Sequence, residues 1–437
     1  MTLAPLADSA LVELIGDAVS SEINRRAAQG DVPLSTGDER RYARSVLRGE
    51  LTRRGEAALA AGREPLDPDA EEHLINATLD QVFGFGGLER WIQDPSVQDV
   101  HVNGWDRVFI KTRDGLRRQV DPIAGSDEHL RRIIADFARR MGRVEQRFDH
   151  SNPIIDMQLP NGDRLNAMFS VSARPSLSIR RHDFSISSLD ELRERGAFDD
   201  GVARFLRAAV RAKRNVIVSG GTGTGKTTLL RALINEIEPE ERIVTVEDNL
   251  ELGISRFDTA HPNLVECEAR VANIEGNGAI SMSDLVVASL RMDPDRIIVG
   301  ECRGAETVPM LLAMSQGNDG SMTSMHADSS KNVFNRISTY AATLAQPPID
   351  PGHANLLIRD AVHFVVHVGF AGGRRVVQSI REVDPTSEDH LLSTEVYAPG
   401  PDGVAVPAFG LTGRGHIAAL AEWGFDSRWA AGDRRTG

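Results

Sequence analysis

The chain has little lysine. Of its 50 basic residues only four are lysines (Lys111, Lys213, Lys226 and Lys331), and the other 46 are arginines. A motif that demands a lysine is therefore unusual in this composition. Cysteine is scarcer still, with Cys267 and Cys302 alone. Two thiols build no disulfide framework, which fits a reducing cytoplasm. No long hydrophobic run occurs. The longest uninterrupted apolar stretches are five residues, as in 310–314, whereas a membrane-spanning helix needs about 20. The opening segment, MTLAPLADSALVELIGD, lacks a basic n-region and is interrupted by Asp8, Glu13 and Asp17, so no secretory signal is expected. Positive charge is not in excess either. The 63 acidic residues leave a net charge of −13, which argues against sequence-independent binding along nucleic acid.

What remains is globular material. A length of 437 residues suggests about three domains. With 41% hydrophobic and 26% charged residues, wholesale disorder is excluded. Residues 1–83 read as an N-terminal helical module, with a capping box at Thr36-Gly37-Asp38-Glu39 and helical spacing again over 69–83. Residues 84–182 read as a small α+β domain. Its strands are expected at 100–102, 108–110, 154–158, 164–171 and 176–180, and its helix at 127–143. Residues 183–196 read as a linker. From 197 to 395 strand and helix alternate, which predicts a mainly parallel sheet with helices on both faces. A hairpin, 365–370 against 376–380, closes this domain. Residues 396–437 read as a C-terminal tail with one helical piece at 417–423.

One segment carries chemistry on its face. Gly220-Gly221-Thr222-Gly223-Thr224-Gly225-Lys226-Thr227, followed by Thr228, matches G-x-x-x-x-G-K-[ST]. An apolar strand precedes it and an amphipathic helix begins at Lys226. Glycines let successive backbone N–H groups converge on phosphate oxygens, and the helix N-terminus adds its dipole. Lys226 is placed to neutralise the β- and γ-phosphates of ATP, and the Thr227 hydroxyl to ligate Mg²⁺.

Hydrolysis also needs a group that orients water and positive charge for the transition state. Asp295-Arg296-Ile297-Ile298-Val299-Gly300-Glu301 is an apolar strand ending in a carboxylate, with glycine where many P-loop enzymes carry an Mg²⁺-linked aspartate. Glu301 is the candidate for polarising water. A second strand delivers Glu247, Asp248 and Glu251. In a parallel sheet both strand ends meet at one crevice. A third, Gly317 to His326, delivers His326 to the same edge, as a sensor of the γ-phosphate.

In order, the P-loop, ERIVTVEDNLEL, SLRMDPDRIIVGECRG and GNDGSMTSMHADSS closely resemble the Walker A, Asp box, Walker B and His box of the type II/type IV secretion ATPase superfamily. Within it the chain resembles the Tad/Flp pilus assembly ATPases (CpaF/TadA type), on the Asn-Ile-Glu-Gly stretch at 273–276 and the SLRM…PDRIIVGE phrase. The resemblance implies a RecA-like ATPase domain after an N-terminal domain, nucleotide between them, and a homo-hexameric ring. It implies ATP and Mg²⁺ as cofactors and inner-membrane platform proteins as partners, with the ring cytoplasmic and held at the membrane through them. By motif it assigns catalytic roles to Glu247, Glu301 and His326. It calls for arginines near the nucleotide, where a forked cation stabilises developing phosphate charge. Candidates are Arg164, Arg180 and Arg181 in the N-terminal domain, and Arg291 and Arg303 beyond it. Asn318 and Asp328 stand where many His boxes carry His and Asn. An ATPase of a conjugative type IV secretion system shares the same site and is the alternative.

Overall fold

The computed structural model describes residues 36–83, 88–141, 148–159, 162–181, 188–257, 260–272, 277–384 and 391–432, with part of 11–25. The Asn-Ile-Glu-Gly stretch at 273–276, residues 183–187 of the segment expected to be a linker, and the side chains of the capping box at Thr36 and Glu39 lie outside the described residues. The chain divides into two compact units, Met1–His182 and Asp183–Gly437.

The first unit begins with two helices, α1 (Thr36–Ala60) and α2 (Pro68–Phe83). Leu47 and Leu51 of α1 meet Ile75 and Leu79 of α2 in a small core that also takes in Leu11 and Ile15. Arg44 and Arg48 of α1 both reach Glu72 of α2. A short helix α3 (Glu89–Gln93) then leads into β1 (Val97–Asn103), β2 (Val108–Thr112) and β3 (Arg117–Val120). The amphipathic helix α4 (Asp127–Met141) and β4 (Ile154–Gln158), β5 (Arg164–Met168) and β6 (Ser176–Arg180) complete the unit. The strands form one antiparallel sheet in the order β3-β2-β1-β6-β5-β4. Alternate residues such as Val100, Ile110, Leu165 and Ile179 pack against Leu130 and Ile134 of α4. The opposite residues face outward, following the period-2 geometry of a strand.

The second unit opens with α5 (Leu189–Glu194) and α6 (Asp200–Arg211), both capped by side chains: Ser188 with Glu191 in a reciprocal box, and Asp199 on the Val202 N–H. Leu189 is in the core, so the expected linker from 188 onward is a capped helix of this unit rather than a linker. Then come β7 (Val216–Gly220), α7 (Lys226–Ile234), β8 (Ile243–Glu247), β9 (Leu264–Glu268), α8 (Met282–Ser289), β10 (Arg296–Cys302), α9 (Thr307–Ser315) and β11 (Met322–His326). They are followed by α10 (Asn332–Thr343), α11 (Pro351–Ala361), β12 (Phe364–Ala371), β13 (Arg374–Asp384), β14 (Leu392–Pro399), β15 (Ala405–Pro407) and α12 (Arg414–Glu422).

The sheet order is β15-β14-β13-β12-β7-β11-β10-β8-β9. From β12 to β9 every pairing is parallel, and β13 to β15 add antiparallel strands at one edge. The two faces bury separate cores. Val216 and Val218 of β7 meet α6 and α7 on one face, while Ile217 meets α9, α10 and α11 on the other. This is the α/β architecture, with helices on both faces, that alternation predicted. Residue 396 falls inside β14, and Leu420 and Phe425 reach the same core as Phe205. The segment expected to be a separate tail is therefore woven into the second sheet.

At the foot of β7 one amide joins three loops. Asn215 is fully buried. Its Nδ2 donates to the carbonyls of Met314 at 2.9 Å and Ala361 at 2.7 Å, and its Oδ1 accepts from the N–H groups of Gly320 at 2.8 Å and Ser321 at 3.1 Å. All four hydrogen-bonding positions of the side chain are used.

Candidate functional site

The glycine-rich segment forms the turn between β7 and α7. Gly223 and Gly225 have φ of 75° and 97°, left-handed conformations that glycine adopts without a Cβ penalty. Gly225 caps α7 without any side-chain hydrogen bond, so the first N–H groups of the helix are offered to a ligand, with the dipole behind them. The Thr224 hydroxyl donates to the Gly221 carbonyl at 2.9 Å and tightens the loop. Lys226 arches back over it: Nζ donates to the Gly221 carbonyl at 3.1 Å and lies 3.6 Å from Glu301 Oε1. Thr227, the second residue of α7, is half-buried, and its hydroxyl is committed to no hydrogen bond among the described residues. Thr222 is exposed and Thr228 half-buried beside it.

Sheet order brings the other motifs to this turn. β11 lies beside β7 with His326 opposite Gly220; β10 lies beside β11, and β8 beside β10. All four strands run parallel and end at one edge. The register of β10 shifts between Val299 and Cys302, which places an extra residue at Gly300–Glu301. Such a bulge re-aims a side chain. Here Ser324 Oγ on β11 donates to the Gly300 carbonyl at 2.7 Å and holds it. Glu301 keeps about a third of its side-chain surface exposed, 3.6 Å from Lys226 Nζ. Arg303 bridges the acids, 2.6 Å from Asp248 and 3.8 Å from Glu301.

Glu247 is different from Glu301. It is buried, with 3% of its surface exposed. Its Oε2 accepts from the N–H groups of Glu251 and Leu252, both at 2.9 Å, and its Oε1 has no partner. Burial pushes this carboxyl up to about 8, Glu251 and Glu266 push in the same direction, and the two backbone donors oppose them. The side chain lies over Gly300. A Cβ there would sit 2.9 Å from Glu247 Cγ. Glycine at the Walker B position is thus a packing requirement. Gly300→Asp, which supplies the aspartate of other P-loop enzymes, is expected to lower turnover by about a hundredfold by displacing the bulge, with steady-state phosphate release as the readout.

The raised Glu247 group also sets a pH dependence. The native state holds a proton that the unfolded chain has released between the ordinary value of 4.5 and about 8. Its contribution to stability is full below 4.5 and is lost as pH rises through 8, with a slope of at most ~1.4 kcal/mol per pH unit. Denaturant midpoints measured from pH 5 to 8 should fall in the wild type, and Glu247→Gln should flatten that part of the slope.

The candidate arginines divide. Arg164 and Arg180 stand opposite each other on β5 and β6, on the outward face of the first sheet. Arg164 pairs with Asp156 at 2.8 Å, and Arg180 pairs with Asp99 at 3.1 Å while remaining more than half exposed. Arg181 is committed to the fold: it donates to the carbonyls of Asp94 and Val97 and lies 3.6 Å from the buried Asp163. Arg291 is exposed just beyond α8. Only Arg303 of this set is joined to the acids at the strand ends. Asn318 supports the turn before β11 by donating to the Pro294 carbonyl at 2.8 Å. Met322 and Met325 are core residues. Cys302 is buried, and burial pushes its thiol up to about 12.

Sequence reading missed Arg375. Its Nε donates to the Gly223 carbonyl at 2.8 Å across 152 residues of chain. The hairpin that carries it was legible, but its place beside the P-loop follows from β12 pairing with β7, which no local pattern reveals.

The phosphate cradle, the lysine and the water-facing carboxylate suit a bound nucleotide with its magnesium. Mg²⁺ in such sites is held by one or two side chains and the phosphates themselves. Among the described residues no group of three or more His, Cys, Asp or Glu side chains could hold a metal alone. The uncommitted Thr227 hydroxyl, next in sequence to Lys226, fits that mode.

The model of the type II/IV secretion system protein family matches residues 82–367. A Mycobacterium tuberculosis protein named for conjugal transfer is 36% identical over 309 residues, covering 68% of this chain and 84% of its own. The type IV secretion system protein VirB11 of Brucella abortus is 31% identical over 294 residues, covering 61% and 79%. Among solved structures, the ATPase DotB of Legionella pneumophila aligns with a TM-score of 0.50 at 20% identity, over 68% of this chain and 78% of that one. That likeness bears on the fold.

Proposed function

Because this chain belongs to the type II/IV secretion system protein family, we propose that it is a homo-hexameric ATPase that drives assembly or retraction of a Tad/Flp-type pilus, or protein secretion, through inner-membrane platform proteins. The observation that carries the ATPase reading is the 3.6 Å approach of Lys226, at the start of α7, to Glu301 on β10, with His326 ending β11, the strand between β7 and β10. Among the described residues no helix is long and apolar enough to cross a membrane. Recruitment to the cytoplasmic face of the inner membrane by partners accords with that.

The chemistry follows from the geometry. Backbone N–H groups of 221–226 and the α7 dipole take the phosphate chain, and Lys226 exchanges Glu301 and the Gly221 carbonyl for phosphate oxygens. Glu301, released from the lysine, orients water and accepts its proton. His326, one strand away, reports the γ-phosphate. Thr227 would hold Mg²⁺, which supplies charge neutralisation on the phosphates. Arg303 supplies a cation beside the acids at the strand ends, whereas Arg291 lies before the start of β10, at the other end of the strands. Arg180 is the most exposed of the three candidate arginines of the first unit and is the one we assign to another subunit's nucleotide.

A second reading is a conjugative type IV secretion ATPase, favoured by the relative named for conjugal transfer. Specific ATP turnover should rise with protein concentration and saturate, because a shared site needs a neighbour. No turnover at any concentration, with ATP bound, would overturn the motor. Partner capture from the producing cell separates the readings. Prepilin and platform proteins support the pilus motor, and conjugation components support the alternative.

A further inference from the structure

A nucleotide carries a base as well as phosphates, and none of the motif residues provides for it. Beyond the last residue paired with β7, strand β12 continues. Val368 lies opposite Gly220, and Gly369, Phe370 and Ala371 overrun the start of the P-loop. Val366 and Val368 are buried in the core that includes Leu229 and Leu230 of α7. Phe370 continues that row by alternation, but the residue is 54% exposed. Directly opposite it on β13 stands Arg375. The guanidinium lies 6.0 Å from the Phe370 ring centroid, its Nε donates to the Gly223 carbonyl at 2.8 Å, and its Cδ would be 3.4 Å from a Cβ on Gly225. Arg375 pairs with no carboxylate among the described residues. Gln378 lies against Gly369 and donates to the Phe370 carbonyl at 3.4 Å, which fixes the hairpin arm.

An aromatic face left in solvent and an unpaired cation are thus fixed to the rim of a phosphate-binding loop by the same hairpin. On the nucleotide site proposed above, we infer that the β12–β13 hairpin is the base side of the site: Phe370 is the platform on which the nucleobase stacks, and Arg375 is a cis cation that joins the phosphate chain to the loop. Every base has a π face, so a single phenylalanine favours nucleotides over bare phosphates without choosing strongly among bases. Arg375 is a clasp on the loop before the ligand arrives and a ligand contact after it.

The test is equilibrium binding of ADP and of inorganic tripolyphosphate, which has no base, to the full-length protein. Phe370→Ala should weaken ADP about tenfold, the scale of one base stacked on an aromatic ring, and leave tripolyphosphate unchanged within about twofold. Phe370→Leu should resemble Phe370→Ala, and Phe370→Trp should restore ADP affinity, which separates stacking from simple apolar cover. Arg375→Ala should weaken both ligands. Unchanged ADP affinity in Phe370→Ala, or equal losses for ADP and tripolyphosphate, overturns the platform. Unchanged tripolyphosphate affinity in Arg375→Ala overturns the clasp. Wild-type protein that binds neither ligand overturns the nucleotide site itself, a different outcome from either. Because Phe370 is largely exposed, its replacement leaves the core intact.

Discussion

Glu301→Gln should reduce ATP turnover by about 10²–10⁴-fold, the usual contribution of a positioned acid or base, and leave ADP affinity unchanged or slightly tighter. The reason lies in the 3.6 Å approach of Glu301 to Lys226. Before nucleotide binds, the carboxylate competes with phosphate for the lysine. Glutamine keeps the shape and removes that competition while removing the proton acceptor. Single-turnover phosphate release together with ADP titration reads both effects. A variant that retains more than about a tenth of wild-type turnover would move the water-activating role to another group, with His326 at the end of the neighbouring strand the next candidate.

Arg296→Met should cost the second unit ~3–5 kcal/mol, the range for removing one partner of a buried ion pair. Arg296 is the largest fully buried side chain among the described residues, at 1% exposure. It holds Glu241 through two nitrogens at 2.8 and 3.0 Å and donates to the carbonyls of Val210 and Gly320. Methionine fills the stem volume but leaves these acceptors unsatisfied. Lys213, 3.0 Å from Glu241, offsets part of the loss, so the lower end of the range is expected. Denaturant unfolding measures it, and a midpoint within experimental scatter of wild type would show that Glu241 and Lys213 alone hold the start of β10.

The parts of the fold that sequence made legible were those with strong local signals. β7, β8, β10 and β11 are short apolar runs ending in polar motif residues, and strand–helix alternation announced that they lie parallel; it did not announce their order, in which β11 sits between β7 and β10. β9, β14 and α10 were missed for physical reasons. Leu264–Glu268 mixes acids with aliphatics because it is an edge strand, and Leu392–Pro399 is half-exposed along most of its length. Asn332–Thr343 is rich in β-branched and polar residues and is helical through the burial of Val333, Phe334 and Ile337. α11 did carry a signal, Asp350 followed by Pro351, a cap and first-turn proline. In the site, Lys226, Glu301 and His326 were legible as motif residues. The burial of Glu247 was not, because it depends on the missing side chain of Gly300 on the next strand. Arg375 was not, because its partner is a backbone carbonyl far away in sequence.

Asn215 has a consequence for how the gene encoding this chain tolerates change. Its amide uses two donors and two acceptor positions at once, on three separate loops. No other side chain offers that set at that length. Aspartate lacks both donors, glutamine overshoots by one methylene, and serine or alanine leaves several backbone groups dry. In a saturation library selected for a working protein, position 215 should therefore be as depleted of alternatives as Lys226. An allele there would look catalytic by its genetics while touching no ligand.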